Sequence, residues 1–300
     1  MTRAKASPPP APAKPHTRWG QERRLEFIDF RLRWDSRLNR ADLMEFFAIS
    51  VPQASLDIAK YLELAPENAA YDRSGKVYLP TESFRPIYPT NEPSRFLDEL
   101  LARATGVLQP ELSFLGWTPA IAVVPNPSRA VPVDTLVALL GAIRRKTTVS
   151  ILYQSMSSTA PADRIVGPHA LAHDGFRWHV RAYCHTRERF LDFVLARILG
   201  VSPANPSGTD GTADEAWHRQ VRLVLAPNPA LSAAHQRVIE LDYGMTSGEV
   251  ILECRQALLF YSLRRLGLLE EKPDAPAVQQ ILLKNRNEIA PFLPVAMGPR

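Results

Sequence analysis

Only two cysteines occur in the 300 residues, Cys184 and Cys254, too few and too far apart for a disulfide framework. They show no CxxC spacing, so a cysteine zinc site is not expected either. The sequence lacks any run of about 18 uncharged apolar residues, which excludes a membrane-spanning helix. The stretch Met1 to Lys14 is basic and rich in Pro and Ala but has no apolar core segment. A secretory signal peptide is therefore not expected, and the chain reads as cytoplasmic. P-loop, G-x-S-x-G, HExxH and deaminase signatures are missing, and the carboxylates show no catalytic pairing. No enzyme, no cofactor and no metal follow from such a chain. Internal repeats are absent as well.

What is present is a globular composition, 45% apolar, over a length that calls for two or three domains. The net charge of +5 favours a polyanionic partner only mildly. Residues 1–17 carry five prolines, with Arg3, Lys5 and Lys14 and no acid, and read as a disordered basic tail. Residues 18–90 then follow a definite order. A helix is expected over about Trp19–Trp34, with Leu25, Ile28 and Leu32 at helical spacing. A second covers about Arg40–Phe47. Ser50-Val51-Pro52-Gln53 has the S-x-x-Q form of a capping box, with Pro in the first turn, and starts a third. Tyr71 to Leu79 reads as two strands around a Ser-Gly turn. Helix, helix, tight turn, helix and basic hairpin together make a winged helix-turn-helix, a DNA-binding domain.

Projecting the third helix at 100° per residue puts Val51, Ala54, Ile58, Tyr61 and Leu62 on a packing face. Gln53, Leu56 and Lys60 face away, where such a helix enters the major groove. Gln53 can pair with adenine, Leu56 can touch a thymine methyl, and Lys60 can reach a phosphate or guanine. Ser50 and Ser55 join this candidate surface. Arg73 and Lys76 at the wing tip suit phosphate or minor-groove contact, and Arg37 and Arg40 precede the second helix, near backbone phosphates. The alternative for the whole face is a solvated surface on a protein-binding module.

Residues 91–148 are expected to be mostly helical, through Phe96–Thr105 and Asp134–Arg145, and to act as a connector. Residues 149–204 switch to strand character, with Asp174-Gly175 as a hairpin turn. Ser202–Thr212 reads as a linker. Residues 205–300 read as β-α-β-α with a last helix near Val278–Phe292. In the strand Phe176–Tyr183, Arg177, His179, Arg181 and Tyr183 share one face. Like charges about 7 Å apart on one pleated face are destabilising unless acids or a bound anion neutralise them; the alternative is a merely exposed, solvated strand face. The acids near in sequence are Asp163, Asp174, Glu188 and Asp192. A basic face with Tyr, beside Tyr153 and Ser155, would suit phosphates and stacked bases. His169, His173, His179 and His185 match no metal-site spacing.

These residues carry a resemblance. Ile151–Ile198 resembles a WYL domain, an Sm-like β-barrel, with Trp178-His179-Val180 at the naming triplet and Phe193-Val194-Leu195-Ala196-Arg197-Ile198 as the closing motif. Gly167-Pro168-His169-Ala170-Leu171 and Arg177-Trp178-His179-Val180-Arg181-Ala182 are closer still to WYL regulators of the CapW and BrxR type. The resemblance covers about residues 19–295. It implies an α+β multidomain protein: winged helix-turn-helix, helical connector, Sm-like barrel, and a C-terminal βαβα dimerisation (WCX-like) domain. It implies a homodimeric repressor on a palindromic, inverted-repeat operator, controlling an anti-phage defence operon of CBASS or BREX type. The effector implied is a small anion, nucleotide or oligonucleotide on the WYL domain, with Tyr153, Ser155, His169, Arg177, His179, Arg181 and Arg197 as its pocket. Where many WYL domains carry Arg two residues before the closing Phe, Leu191 stands here, with Arg189 two residues earlier. The rival reading is an RNA- or nucleotide-binding protein that uses the Sm-like barrel without operator-specific repression.

Overall fold

The computed structural model describes residues 15–89, 92–125, 127, 130–204, 210–270, 272 and 274–293. The expected tail lies outside these up to residue 14, as does the middle of the expected linker, residues 205–209. The chain divides into two compact units, residues 1–126 and 127–300.

In the first unit, α1 (Pro15–Trp34), α2 (Arg40–Phe47) and α3 (Val51–Leu64) precede a hairpin of β1 (Ala69–Asp72) and β2 (Val77–Pro80). Short polar caps set the helix starts. Asn39 and Asp42 cap α2 reciprocally, each side chain accepting the other's backbone N–H, which satisfies two donors that a helix start leaves open. Ala48, in the left-handed conformation, ends α2, and Ser50 caps α3 by accepting from the Gln53 N–H. Leu38 exchanges two backbone hydrogen bonds with Tyr78, so the wing is tied to the chain between α1 and α2. Phe27 lies at the centre of an aromatic cluster, its ring 4.8 Å from Phe46, 5.3 Å from Phe47 and 5.2 Å from Phe114.

The stretch 91–148, expected to act as one connector, divides between two cores. The helix α4 (Pro93–Ala104) and the turn after it bury Leu100, Phe114 and Leu115 in the winged-helix core, with Phe96 packed against it. Buried Glu99 accepts from the Ser113 hydroxyl and the Phe114 backbone N–H, holding that turn down. Helix α5 (Val133–Arg145) instead buries Leu139 and Ala142 in the second unit, against the sheet that follows. Helical spacing shows that a helix forms; it does not say which core receives its apolar stripe.

The second unit carries β3 (Val149–Tyr153), β4 (Ala162–His173), β5 (Trp178–Cys184), β6 (Arg189–Val194) and β7 (Ile198–Pro203). They form one antiparallel sheet in the order β6-β5-β4-β3-β7. The expected Sm-like barrel is present as this five-stranded sheet without closure: among the described residues β6 and β7 do not pair, and one tight turn, Leu195–Arg197, joins them. The register of β4 on β5 skips His169, leaving it as an extra, bulged residue.

Next come α6 (Glu215–His218), β8 (Gln220–Pro227), α7 (Ala233–Asp242), β9 (Val250–Arg255), α8 (Leu259–Arg265), β10 (Ile281–Leu283) and α9 (Arg286–Ile289). The sheet order is β10-β8-β9, with Leu223, Leu225, Ile239, Leu259, Leu263 and Ile281 in its core. A single helix over Val278–Phe292 is therefore not what forms. Ile281 and Leu283 point into the core from a strand paired with β8, and only Arg286–Ile289 and a short turn are helical. An edge of β8 open to pairing outweighs the weak helical spacing of that segment.

Because α5 belongs to the second unit's core, Leu139→Ala is expected to cost about 2–5 kcal/mol. Val137→Ala, on the exposed side of the same helix, should stay within about 0.5 kcal/mol. Urea unfolding of the two variants measures this; equal losses would remove α5 from that core.

Candidate functional site

Helix α3 is two-faced as projected, with one exception. Ala54, Ile58 and Tyr61 are buried and Leu62 packs beside them, but Val51 is 47% exposed, because it lies in the first turn before the helix meets its neighbours. Leu56 stands 64% exposed on the outer face. Lys60 is exposed and pairs with Glu63 at 2.9 Å. Such an exposed i,i+3 pair is worth a fraction of a kcal/mol and yields readily to a phosphate.

Gln53 differs more from expectation. It is only partly exposed, and its Nε2 donates to Asp57 Oδ1 at 3.1 Å. Asp57 is fully buried and clamped by Arg24 of α1, Nε to Oδ2 at 2.6 Å and Nη2 to Oδ1 at 3.2 Å. Neither Arg24 nor Asp57 was among the expected residues; no motif marks them, since they meet only across the α1–α3 contact. Ser50 spends its hydroxyl on the helix cap, and Ser55 Oγ lies 3.4 Å from Arg40 Nη1, linking the α2 start to α3. Arg37, exposed, lines a cleft of about 380 Å³ with Arg31, Asp35, Asp42, Gly116 and Trp117. Arg73 and Lys76 are exposed at the wing tip, where Asp72 accepts from the Ser74 and Gly75 N–H groups and Lys76 turns left-handed at φ 53°.

In the second unit the cations expected on an open strand face are buried and paired. Val180, Ala182 and Cys184 of β5 fill the core toward α5; Arg181 and His179, from the other face, are 7% and 1% exposed. Arg181 donates through Nε and Nη2 to Asp214 at 2.7 and 3.0 Å, and through Nη1 to Asp192 at 3.2 Å. Asp214 also meets His169 Nε2 at 3.0 Å. At the hairpin, Asp174 accepts from the Phe176 and Arg177 N–H groups, from Arg177 Nε at 3.1 Å, and lies 3.0 Å from His179 Nε2. Tyr261 of α8 donates to Asp192 Oδ2 at 3.3 Å and its ring sits 5.0 Å from His179. Of the two ways to neutralise this face, acids are the one present. Asp174 and Asp192 were visible nearby in sequence. Asp214 was not, because it follows the linker and reaches β5 only through the chain's return.

Burial pushes the Asp214 carboxyl up, but the hydrogen bonds from His169 and Arg181 and the Arg181 charge outweigh it and hold it well below the usual range. Asp174 is likewise held low: burial opposes, and His179 with the Arg177 and Phe176 backbone N–H groups prevails. Burial would lower the Arg181 guanidinium, yet Asp214 and Asp192 raise it. Burial, then Asp192, pushes the Tyr261 phenol up, so it remains a donor.

The remaining candidates lie apart from this network. Tyr153 accepts from the Val194 N–H at 3.3 Å and stacks edge-on with Phe193. Ser155 bonds Ser157 in the loop after β3. Arg197 accepts from the Gln154 N–H through its carbonyl, and its guanidinium has no ion pair among the described residues. No cluster of three metal-binding side chains occurs among the described residues, and none of their helices is long and apolar enough to cross a membrane.

A helix-turn-helix with a wing, an open five-stranded sheet carrying buried cations, and a three-stranded α/β module define a WYL-type transcriptional regulator. Three family models match in that order: the BrxR transcriptional regulator winged helix-turn-helix domain over residues 20–102, the WYL domain over 134–203, and the BrxR C-terminal dimerization domain over 220–289. The DNA-binding transcriptional repressor CapW of Escherichia coli (strain KTE188) is 47% identical over 280 residues, 92% of this chain and 93% of that protein. Its counterpart in Pseudomonas aeruginosa is 47% identical over 285 residues, 94% of each chain. That of Stenotrophomonas maltophilia is 44% identical over 280 residues, 92% and 93%. The chain belongs to the CapW family of DNA-binding transcriptional repressors.

The depressed carboxylates give a pH signature. A carboxyl whose folded value lies below its ordinary 3.8 contributes stability that is complete above that value and lost as pH falls toward the folded one. Asp214→Asn should therefore lower the melting temperature most near neutral pH, with the gap to the parent narrowing below about pH 4. Thermal scans by circular dichroism across this range measure it; a pH-independent gap would show that charge is not what Asp214 contributes.

Proposed function

We propose that this chain is a homodimeric repressor that binds an inverted-repeat operator through α3 and the wing and releases or tightens its grip when an anionic effector reaches the WYL sheet. The observation that carries the DNA reading is the outer face of α3. There an exposed leucine stands between a glutamine and a lysine, in a chain whose relatives are named DNA-binding repressors. A single exposed leucine is ordinary on a protein surface, but on the outer face of a helix-turn-helix's third helix a thymine methyl in the major groove is the group that would cover it. In this reading Gln53 and Leu56 contact bases. Arg37, Arg40, Lys60, Arg73 and Lys76 hold phosphates, and Ser50 and Ser55 lie at the edge of the contact.

The dimer reading is supported by the match to a dimerization domain and by exposed Val238, Leu241, Ile251 and Leu252 on α7 and β9 of that domain. Two copies would set two α3 helices about one helical turn of DNA, or a multiple, apart. The regulated genes, on this reading, are an anti-phage defence operon of CBASS or BREX type. The effector site is built from Tyr153, Ser155, His169, Arg177, His179, Arg181 and Arg197, with a phosphate-bearing ligand as the chemistry that several cations on one sheet favour. The rival reading, an RNA- or nucleotide-binding protein without operator-specific repression, leaves the winged helix-turn-helix without a role.

Mobility shift and footprinting on the DNA upstream of the gene test the repressor reading. A palindromic protected site is expected, with affinity falling steeply as salt rises. Lys60→Ala should weaken binding to all sequences alike and reduce the salt slope by about 1, whereas Gln53→Ala should blur discrimination at one base pair per half-site. Replacing Arg197, whose guanidinium has no ion pair among the described residues, by Ala should leave operator binding intact and weaken the response to effector. A monomer indifferent to its own promoter would overturn the whole reading.

A further inference from the structure

The buried position of Arg181 poses a problem for an effector that must reach it. Both oxygens of Asp214 already occupy the Nε–Nη2 edge of the guanidinium, at 2.7 and 3.0 Å. A two-pronged carboxylate on that edge has the same geometry as two oxygens of a phosphate. His169, placed by the bulge in β4, meets the same Asp214 carboxylate. Asp214 is thus held the way an anionic ligand would be held, by an arginine and a histidine from the WYL sheet, and it is 1% exposed.

We propose that Asp214 is a built-in stand-in for a phosphate, and that an effector phosphate binds by displacing it from Arg181 and His169. The proposal rests on reading the WYL sheet as the effector site. Exchange keeps the charge balance, since one anion replaces another. It also does not strand the arginine, because Asp192 still holds Nη1 at 3.2 Å after Asp214 leaves.

The segment that must move leads into the dimerisation module. Asp214 caps α6, and the Trp217 carbonyl accepts from Arg255 Nη1 of β9, whose guanidinium lies 4.7 Å from the Trp217 ring. The Arg219 carbonyl, one residue before β8, accepts from the Gln256 N–H. Expelling Asp214 therefore pulls directly on the strands of the C-terminal sheet, which gives the ligand a route from a WYL strand to the element that spaces two subunits.

Gly211 offers a second way to open the latch. A Cβ there would lie 2.7 Å from the His169 Cβ and 2.9 Å from its Cγ, too close for either to give, so Gly211→Ala pushes the segment off the strand while leaving Asp214 in place. If the closed latch dominates, opening it raises apparent affinity by the reciprocal of the open fraction.

The experiment measures binding of inorganic phosphate, a nucleoside monophosphate and a short single-stranded oligodeoxynucleotide by calorimetry. The full-length parent is compared with Asp214→Ala, Gly211→Ala and each of these combined with Arg181→Ala. We expect both opening variants to bind at least one phosphate probe about tenfold more tightly than the parent, and the gain to vanish with Arg181→Ala. Which probe gains tells a nucleic-acid strand from a nucleotide or free phosphate. Hydrogen exchange in residues 210–219 of the parent should rise when that probe binds. Parental affinity in both opening variants, with binding still lost in Arg181→Ala, overturns the latch and leaves the effector site standing. Binding that survives Arg181→Ala, or no binding of any probe by any variant, overturns the effector site and the latch together.

Discussion

A guanidinium taken out of water costs several kcal/mol unless carboxylates meet it in good geometry, and removing one partner from such a pair is far more damaging than never having built it. Each unit has one. In the first, Arg24 of α1 grips Asp57 of α3 with two nitrogens; in the second, Arg181 of β5 is met by Asp214 and Asp192. Each pairing joins segments far apart in the chain and sets the side chains around it. Hydrophobic packing brings α1 against α3, but packing tolerates small slides. A buried two-pronged ion pair does not.

On α3 this has a consequence for recognition. Asp57 uses one carboxylate oxygen for both Arg24 and the Gln53 amide, so the Gln53 side chain is oriented from beneath by a buried carboxylate that Arg24 holds in place. Leu56 and Lys60 carry no such support and stand free or loosely paired on the outer face. The helix thus combines one pre-oriented polar group with two adaptable ones. In the proposed DNA-binding reading, such pre-orientation of Gln53 would reduce the entropy lost on contact.

The layered sequence of winged helix, strand-rich domain and α/β tail was legible from periodicity, caps and turn residues. The Ser50 cap, the Asp174-Gly175 turn and the alternation along Phe176–Tyr183 each report a local preference, and the elements form close to where those signals lie, β5 starting two residues later at Trp178. Signals of the same kind could not divide 91–148 between two cores. Phe96 and Leu100 carry the same pattern as Leu136 and Leu139, and which core takes each stripe depends on surfaces elsewhere in the chain. The last strand failed for a related reason: Ile281–Leu283 extends because β8 offers it an edge.

The sequence by itself determined that the basic residues of β5 share a face, because the two-residue period decides that within the strand, and it left acids, a bound anion or solvent as what sits against them. It also determined which residues project outward from α3, since the helical repeat decides that within the segment. Only the tertiary structure decided what the negative group is. Asp214 comes from beyond the linker and reaches Arg181 because the chain folds back over its own sheet, and contacts between residues 33 apart obey packing and closure of the whole unit, not any local rule.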